Sequence, residues 1–348
     1  MILEISSNRR AEIKSKVIET LEQYATPVLP VKIGSIIRNI SYIKLITYSS
    51  QIKKHRISYD ELIVNAETKD SYVVHENSTG RFCIYYNDMD VYIMSSNRVR
   101  WNLAHELGHV ILNHHKMAGL EALRRTGIDD STYNYLEKEA DYFAQLLLVP
   151  HAALLGFRIE NSNHIKVMCK ISGPASRKRY YEYNNWKSHV DAKDAYDNRV
   201  FHYYYKFIYK RHCKNCDARL IQRHGKYCPI CGHKTLEWGE GTMIYKKLDT
   251  YENGKLKECP TCKNEETNID GSFCQICGEK LINHCSNYNC ENDTPLPSNA
   301  RYCPICGNES AFYQRGILKA WNYDDNDLLV NNGFMNIPDS IDEELPFN

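Results

Sequence analysis

Apolar positions in the first half of the chain fall into helical and strand-like periods that alternate. In RVRWNLAHELGHVILNHH (Arg98 to His115), Leu103, Leu107, Val110, Ile111 and His114 recur at three-to-four spacing, which predicts one face of an α-helix. In YLEKEADYFAQLLLVP (Tyr135 to Pro150), Leu136, Ala140, Phe143, Ala144 and Leu147 repeat the pattern, and Pro150 closes it. Further helices are predicted from about Arg9 to Tyr24 and from Pro30 to Ile40. Short strands are predicted at Ile43 to Tyr48, Ser71 to Val74, Arg81 to Tyr86 and Val91 to Ser95, the last as a sheet edge open to an extended peptide. Beyond the polar stretch Asn184 to Asp197 the character becomes β-rich. VFHYYYKFIYK (Val200 to Lys210) is aromatic, and the segment Gly241 to Cys259 contains Asn253-Gly254, a two-residue hairpin signal. The expectation is an α+β domain followed by small β-rich modules.

The Arg98 helix carries more than a core face. Residues four apart on a helix stand one above the other, so His105 and His109 project side by side, with Glu106 one step around the cylinder. This is the HExxH pattern, in which two imidazoles bind zinc and the glutamate is the general base. Gly108 costs about 1 kcal/mol against alanine in a helix, so it is read as leaving room for a close neighbour. A catalytic zinc needs a third protein ligand. Glu137 on the Tyr135 helix is preferred; Glu139 is the rival, about 160° around the helix from Asp141. Asp141, one turn beyond Glu137, would accept the outer N–H of a metal-bound histidine and fix its tautomer. His114 and His115 are read as structural residues beyond the site. Tyr133, Tyr135, Tyr142 and His151 are read as packing residues, which leaves the oxyanion donor unassigned.

With these residues in place, the chain from about residue 1 to 187 resembles the ImmA/IrrE metallopeptidases. The resemblance rests on NLAHELGHVILNH (Asn102 to His114) and LEKEADYFAQLLLVP (Leu136 to Pro150). TPVLPVKIGSIIRNI (Thr26 to Ile40) and CKISGPASRKRYYEY (Cys169 to Tyr183), with its Ile171-Ser172 step into a closing helix, add to it. Trp101 stands where the family commonly has phenylalanine. The resemblance implies a gluzincin-like zinc site with His105, His109 and Glu137 as ligands and Glu106 as catalytic base. It also implies a protein substrate, often a helix-turn-helix repressor of a mobile element or stress response.

Cysteine usage changes the picture for the second half. Of 14 cysteines, only Cys83 and Cys169 lie in the peptidase-like part. The others form three sets: Cys213, Cys216, Cys228, Cys231; Cys259, Cys262, Cys274, Cys277; and Cys285, Cys290, Cys303, Cys306. Three tetrahedral structural zinc sites are expected alongside one catalytic zinc. The knuckles repeat as YCPICGHK, FCQICGEK and YCPICGNE, which is the pattern of zinc ribbons, with metal supplying most of each ribbon's folding free energy. Sequential pairing of the sets is assumed, and interleaving is the alternative.

The expected layout is a peptidase-like domain at 1–190, ribbons at 191–245 (with a lead-in strand), 246–284 and 285–322, and an acidic tail at 323–348. From Asp324 onward there are seven acids and no lysine or arginine. The formal net charge of +1 gives no global basic field. From Arg211 to Gly307 there are 13 lysines and arginines against 12 acids, so nucleic acid is the less favoured partner. No secretory h-region and no run of ~20 apolar residues is present, which makes a cytoplasmic, membrane-free protein the expectation. The function expected is a zinc endopeptidase acting on a regulatory protein, with ribbons that recognise a partner. The alternative is a ribbon-based binding protein whose peptidase fold senses or scaffolds.

Overall fold

The computed structural model describes residues 4–90, 97–118, 129–189, 194–323 and 328–330. The chain divides into two compact units, and the division falls between Ile208 and Tyr209.

The first unit is a small mixed sheet with helices around it. Strands β1 (Ile43–Thr47), β2 (Ser71–Glu76) and β3 (Arg81–Tyr86) lie in the order β1-β3-β2, with β1 parallel and β2 antiparallel to β3. Helices α1 (Ser7–Tyr24) and α2 (Ile33–Asn39) precede the sheet, and α3 (Tyr48–His55) and α4 (Tyr59–Ala66) lie within its first connection. At eight residues each, α3 and α4 are too short for a helical period to stand out. Capping defines α4 instead: Ser58 and Glu61 exchange hydrogen bonds as a capping box. Helix α5 (Arg98–Ile111) packs on β2 and β3 and, with its other flank, on α7 (Asp130–Leu148), against which α1 also packs. Ile13, Val17, Leu21, Leu103, Leu107 and Phe143 are fully buried in this arrangement. Between α5 and α7 lies α6 (His114–Ala118); α8 (Ser162–Cys169) and α9 (Gly173–Lys187) follow. The Ser172 hydroxyl caps α9 by accepting from the Ala175 amide.

Several expectations are corrected. Val200 to Lys210 is not a strand: helix α10 (Ala195–Tyr209) covers it up to Tyr209, and Lys210 opens the next strand. Its buried apolar residues are Tyr196, Val200, Tyr204, Phe207 and Ile208, the last two lying three and four positions after Tyr204, so amphipathic period overrides aromatic β-propensity. The polar stretch Asn184 to Asp197 is helical at both ends, in α9 and α10. Helix α5 does not run on to His115; it stops at Ile111, and Asn113 takes a left-handed φ of 57° before α6 begins. Val91 to Ser95 and, apart from Leu328–Val330, the tail from Asp324 lie outside the described residues.

The second unit contains all three cysteine sets. Strands β4 (Lys210–Cys213), β5 (Arg219–Ile221) and β6 (Leu236–Trp238) form an antiparallel sheet in the order β5-β4-β6. Strand β7 (Met243–Tyr245) pairs with β8 (Leu328–Val330), and a short helix, α11 (Ala311–Gln314), follows the last cysteine set. Asn253-Gly254 does turn the chain, though not as a two-residue loop. The Tyr251 amide bonds the Lys255 carbonyl, and Gly254 sits at φ 81°, so three residues form the loop with glycine in the left-handed position.

The first and third knuckles dock reciprocally. The amides of Lys226 and Tyr227 donate to the Pro304 carbonyl at 2.7 and 3.0 Å, and those of Arg301 and Tyr302 donate to the Pro229 carbonyl at the same two distances. Gly232 lies against the Tyr302 ring and Gly307 against the Tyr227 ring, where an added Cβ would stand 3.0 and 2.8 Å from ring carbons. This accounts for the shared YCPICG text of those two ribbons. The second ribbon has Gln275 in the proline position, and Phe273 and Ile276 of its knuckle are exposed.

Candidate metal centre

The site is built where α5 and α7 approach most closely. At Gly108 a Cβ would meet the Ala140 Cα, the Ala140 carbonyl oxygen and the Phe143 ring, each at 3.2 Å. The absent side chain therefore lets the two backbones come together, and this brings the acidic face of α7 onto the imidazoles of α5. His105 Nε2 and His109 Nε2 are 3.0 Å apart. The two oxygens of Glu137 lie 3.2 Å from His105 Nε2 and 3.3 Å from His109 Nε2. One ligand atom from each of His105, His109 and Glu137 falls within 4.8 Å of the others.

This donor set fits a divalent cation such as zinc: two imidazole nitrogens and one carboxylate converge on a single point. The electrostatics agree. Burial alone would lower the His105 pKa, yet Asp141 and Glu137 raise it to about 10, so the cluster attracts positive charge. Burial works against ionised Glu137, but the two histidines hold its carboxyl below the usual range. Asp141 Oδ1 is 2.9 Å from His105 Nδ1, the outer nitrogen of that ring.

Glu106 is one of the most enclosed groups in the cleft. It is 8% exposed, and burial pushes its carboxyl up to about 7, against the charge of His105 and a hydrogen bond from the Ser71 hydroxyl at 2.9 Å. The cleft has a volume of about 370 Å³, and Ser71, Tyr72, Trp101, Asn102 and Tyr133 line it along with the histidines and acids. Sequence reasoning missed Ser71. It is the first residue of β2, and nothing in the motif points to a hydroxyl there. Among the packing residues considered, Tyr133 borders the cleft, whereas His151 packs edge-on against Tyr183 and at a tilt against Trp186.

One other sequence reading needs revision, and the preference for Glu137 over Glu139 agrees with the geometry. His114 is not remote from the site: its Nδ1 lies 2.9 Å from His109 Nδ1. Glu139 does not approach the ligand cluster; it bonds His114 Nε2 at 3.0 Å and receives Arg9 Nε and Nη2, each at 2.7 Å.

Residues 57–168, which contain these two helices, match the model of the IrrE N-terminal-like domain, peptidase family M78. This part of the chain is an M78 peptidase domain. The match is narrower than the likeness read from the sequence, and it leaves α1 and α9 outside the M78 core. No curated protein matches the chain.

In the second unit each cysteine set gathers in chain order into its own cluster. Sulfur pairs are 3.5 and 3.7 Å apart in the first, 3.5 and 3.6 Å in the second, and 3.4 and 3.7 Å in the third. None of the 14 cysteines is in a disulfide, and twelve of them form three four-cysteine clusters, the sulfurs of each within 4.8 Å of one another, close enough to share a metal ion. Their other buried residues are few: Ala218, Ile230 and Tyr245 beside the first cysteine set, Leu256, Leu281, Phe312 and Leu318 beside the second, and Leu296 and Ala300 beside the third. No described helix is long and apolar enough to cross a membrane.

Proposed function

We propose that the chain is a zinc-dependent endopeptidase that cuts a regulatory protein, with ribbons that recognise a partner. The observation that carries this is the placement of Glu106 beside, and not within, the His105–His109–Glu137 cluster. A bound zinc would polarise the scissile carbonyl and lower the pKa of a water ligand toward ~7. The residues do the rest. His105, His109 and Glu137 hold the cation, and Asp141 fixes the His105 ring by accepting from Nδ1. Glu106 takes the proton of the attacking water and delivers it to the departing amine, a role suited to a carboxyl near neutrality. Ser71 holds that carboxyl in position through its hydrogen bond, and the cleft of about 370 Å³ is where the substrate would lie.

The test is co-expression with the products of neighbouring genes. A regulator clipped by the wild-type chain and left whole by Glu106→Gln is the expected outcome. Equal clipping by both would remove Glu106 from the mechanism, and the variant should lose about 10²-fold or more in rate while keeping its zinc.

One observation favours a second reading for the ribbons, the binding of nucleic-acid phosphates. A cavity of about 320 Å³ on the first ribbon is lined by Arg211, Arg223, Lys226 and Lys234 with Gln222, and by no carboxylate. Trp238, directly opposite Arg211 in the sheet register, is exposed, with the Lys210 ammonium 4.5 Å from its ring centre. Cations and an aromatic on one face suit single-stranded nucleic acid. Affinity for a labelled oligonucleotide that falls steeply with salt, and falls further in Arg223→Ala/Lys226→Ala, would support this reading; no binding at low salt would remove it.

A further inference from the structure

We propose that His114, Glu139 and Arg9 form a buried tether that fixes the tautomer and orientation of His109, and so sets how tightly the two-helix site holds its metal. The proposal rests on the reading that His105, His109 and Glu137 bind a cation. It does not need the chain to be a working peptidase.

The proton positions follow from the partners. Glu139 is fully buried, and Arg9 holds it as a carboxylate through two N–H donors at 2.7 Å, so toward His114 it can only accept. His114 Nε2, 3.0 Å away, must therefore carry a hydrogen. Its other nitrogen, Nδ1, is then a lone pair in the neutral ring, and it faces His109 Nδ1 at 2.9 Å. That contact is a hydrogen bond only if His109 Nδ1 carries the hydrogen. The His109 Nε2 lone pair is thus left pointing at the cluster with His105 Nε2 and Glu137, which is the state a metal ligand needs.

The two ligand histidines are anchored differently. His105 leans directly on Asp141, whose side chain is 47% exposed and so open to solvent. His109 is held through His114 and Glu139, both 0% exposed, and solvent reaches the chain only at its outer end, where the Arg9 side chain is 17% exposed. A buried network of this kind is strong when every member is paired, and each nitrogen and oxygen along this chain is.

The fold makes the tether possible at two places. In an unbroken helix, position 114 would stand about 140° around the axis from 109, and the rings could not meet. The left-handed turn at Asn113 ends α5 and returns His114 to the outer edge of the His109 ring. The far anchor, Arg9, comes from α1, 130 residues before Glu139 and outside the matched M78 segment. The amino-terminal helix is therefore a positioning part of the metal site as well as a packing element.

The experiment uses the full holoprotein and its Glu139→Gln, Arg9→Met and His114→Phe variants. Each is dialysed against a graded series of zinc-buffering chelators, the zinc retained is counted, and ribbon occupancy is followed separately by cysteine reactivity. The expected result is a 10- to 100-fold weaker two-helix site in each variant, with the ribbons unaffected. Long-range proton–nitrogen NMR of the imidazoles should also show the His109 Nδ1–H form in the wild type and a mixture in Glu139→Gln. Zinc affinity and tautomer both unchanged in Glu139→Gln, the near-isosteric variant expected to fold, would overturn the proposal whatever His114→Phe does. Weakened zinc in variants of a chain that hydrolyses nothing would keep the tether and remove only the peptidase reading.

Discussion

Ser71 shows how much one hydroxyl outside the motif contributes at the residue scale. Glu106 is buried and carries a proton affinity well above an ordinary carboxylate, and the Ser71 hydrogen bond opposes that rise. A hydrogen bond to a charged group contributes about 1.5–3 kcal/mol. Ser71→Ala should therefore slow hydrolysis by about tenfold or more while zinc content stays at the wild-type level, as read by metal analysis beside a peptide-cleavage assay. Loss of zinc in that variant would mean that Ser71 supports the ligands and not the base. The HExxH residues were legible because their geometry is local. Ser71 was not, because only the pairing of β2 with β3 and the packing of α5 on both bring a residue at 71 to one at 106.

At the scale of elements, the decisive contact is α5 against α7, and Gly108 controls it. Gly108→Val would place a branched side chain 3.2 Å from the Ala140 backbone, which cannot swing aside as a flexible side chain could. The expected cost is about 1–3 kcal/mol of stability, with a greater effect on the metal, since parting the helices carries Glu137 away from the imidazoles. A thermal melt paired with zinc analysis checks this; a stable variant with full zinc would show that the close approach is dispensable. Elements with a long apolar period were readable in advance to within a few residues, as α1, β3 and α7 illustrate. The aromatic run from Val200 misled because tyrosine and phenylalanine favour strands in general, while the spacing of the buried ones fits a helix.

At the scale of the whole molecule, four clusters among the described residues are able to hold a metal, and they should not respond alike to its removal. About four zinc ions per chain are expected by metal analysis, one in the M78 domain and three in the ribbons. Excess chelator should unfold the second unit while leaving most of the helical circular dichroism, because the first unit has a large apolar core and the ribbons only small apolar clusters centred on their cysteines. Parallel loss of both signals would contradict that division. Docking of the first and third knuckles can be tested separately. Gly307 is left-handed at φ 80° and its Cβ position overlaps the Tyr227 ring, so Gly307→Ala should lower the melting temperature of the ribbon unit by several degrees. The equivalent Gly278→Ala has nothing within 4 Å to strike and should feel only the backbone strain.

Spacing along the chain determined the imidazole pair, the glutamate beside it and the cysteine knuckles, because a helical turn and a four-residue knuckle are short-range geometry, while the structure decided which knuckles share a cluster. The acidic residue that completes the first cluster was also within reach, since Glu137 follows on the next long amphipathic helix. Only the tertiary structure decided that His114 touches His109, that Glu139 answers to Arg9, and that four cations from a nearly neutral ribbon region line one cavity. Each of these joins residues whose separation is set by a helix break, a sheet register or the packing of the amino-terminal helix. No periodicity in a one-dimensional chain encodes such a distance.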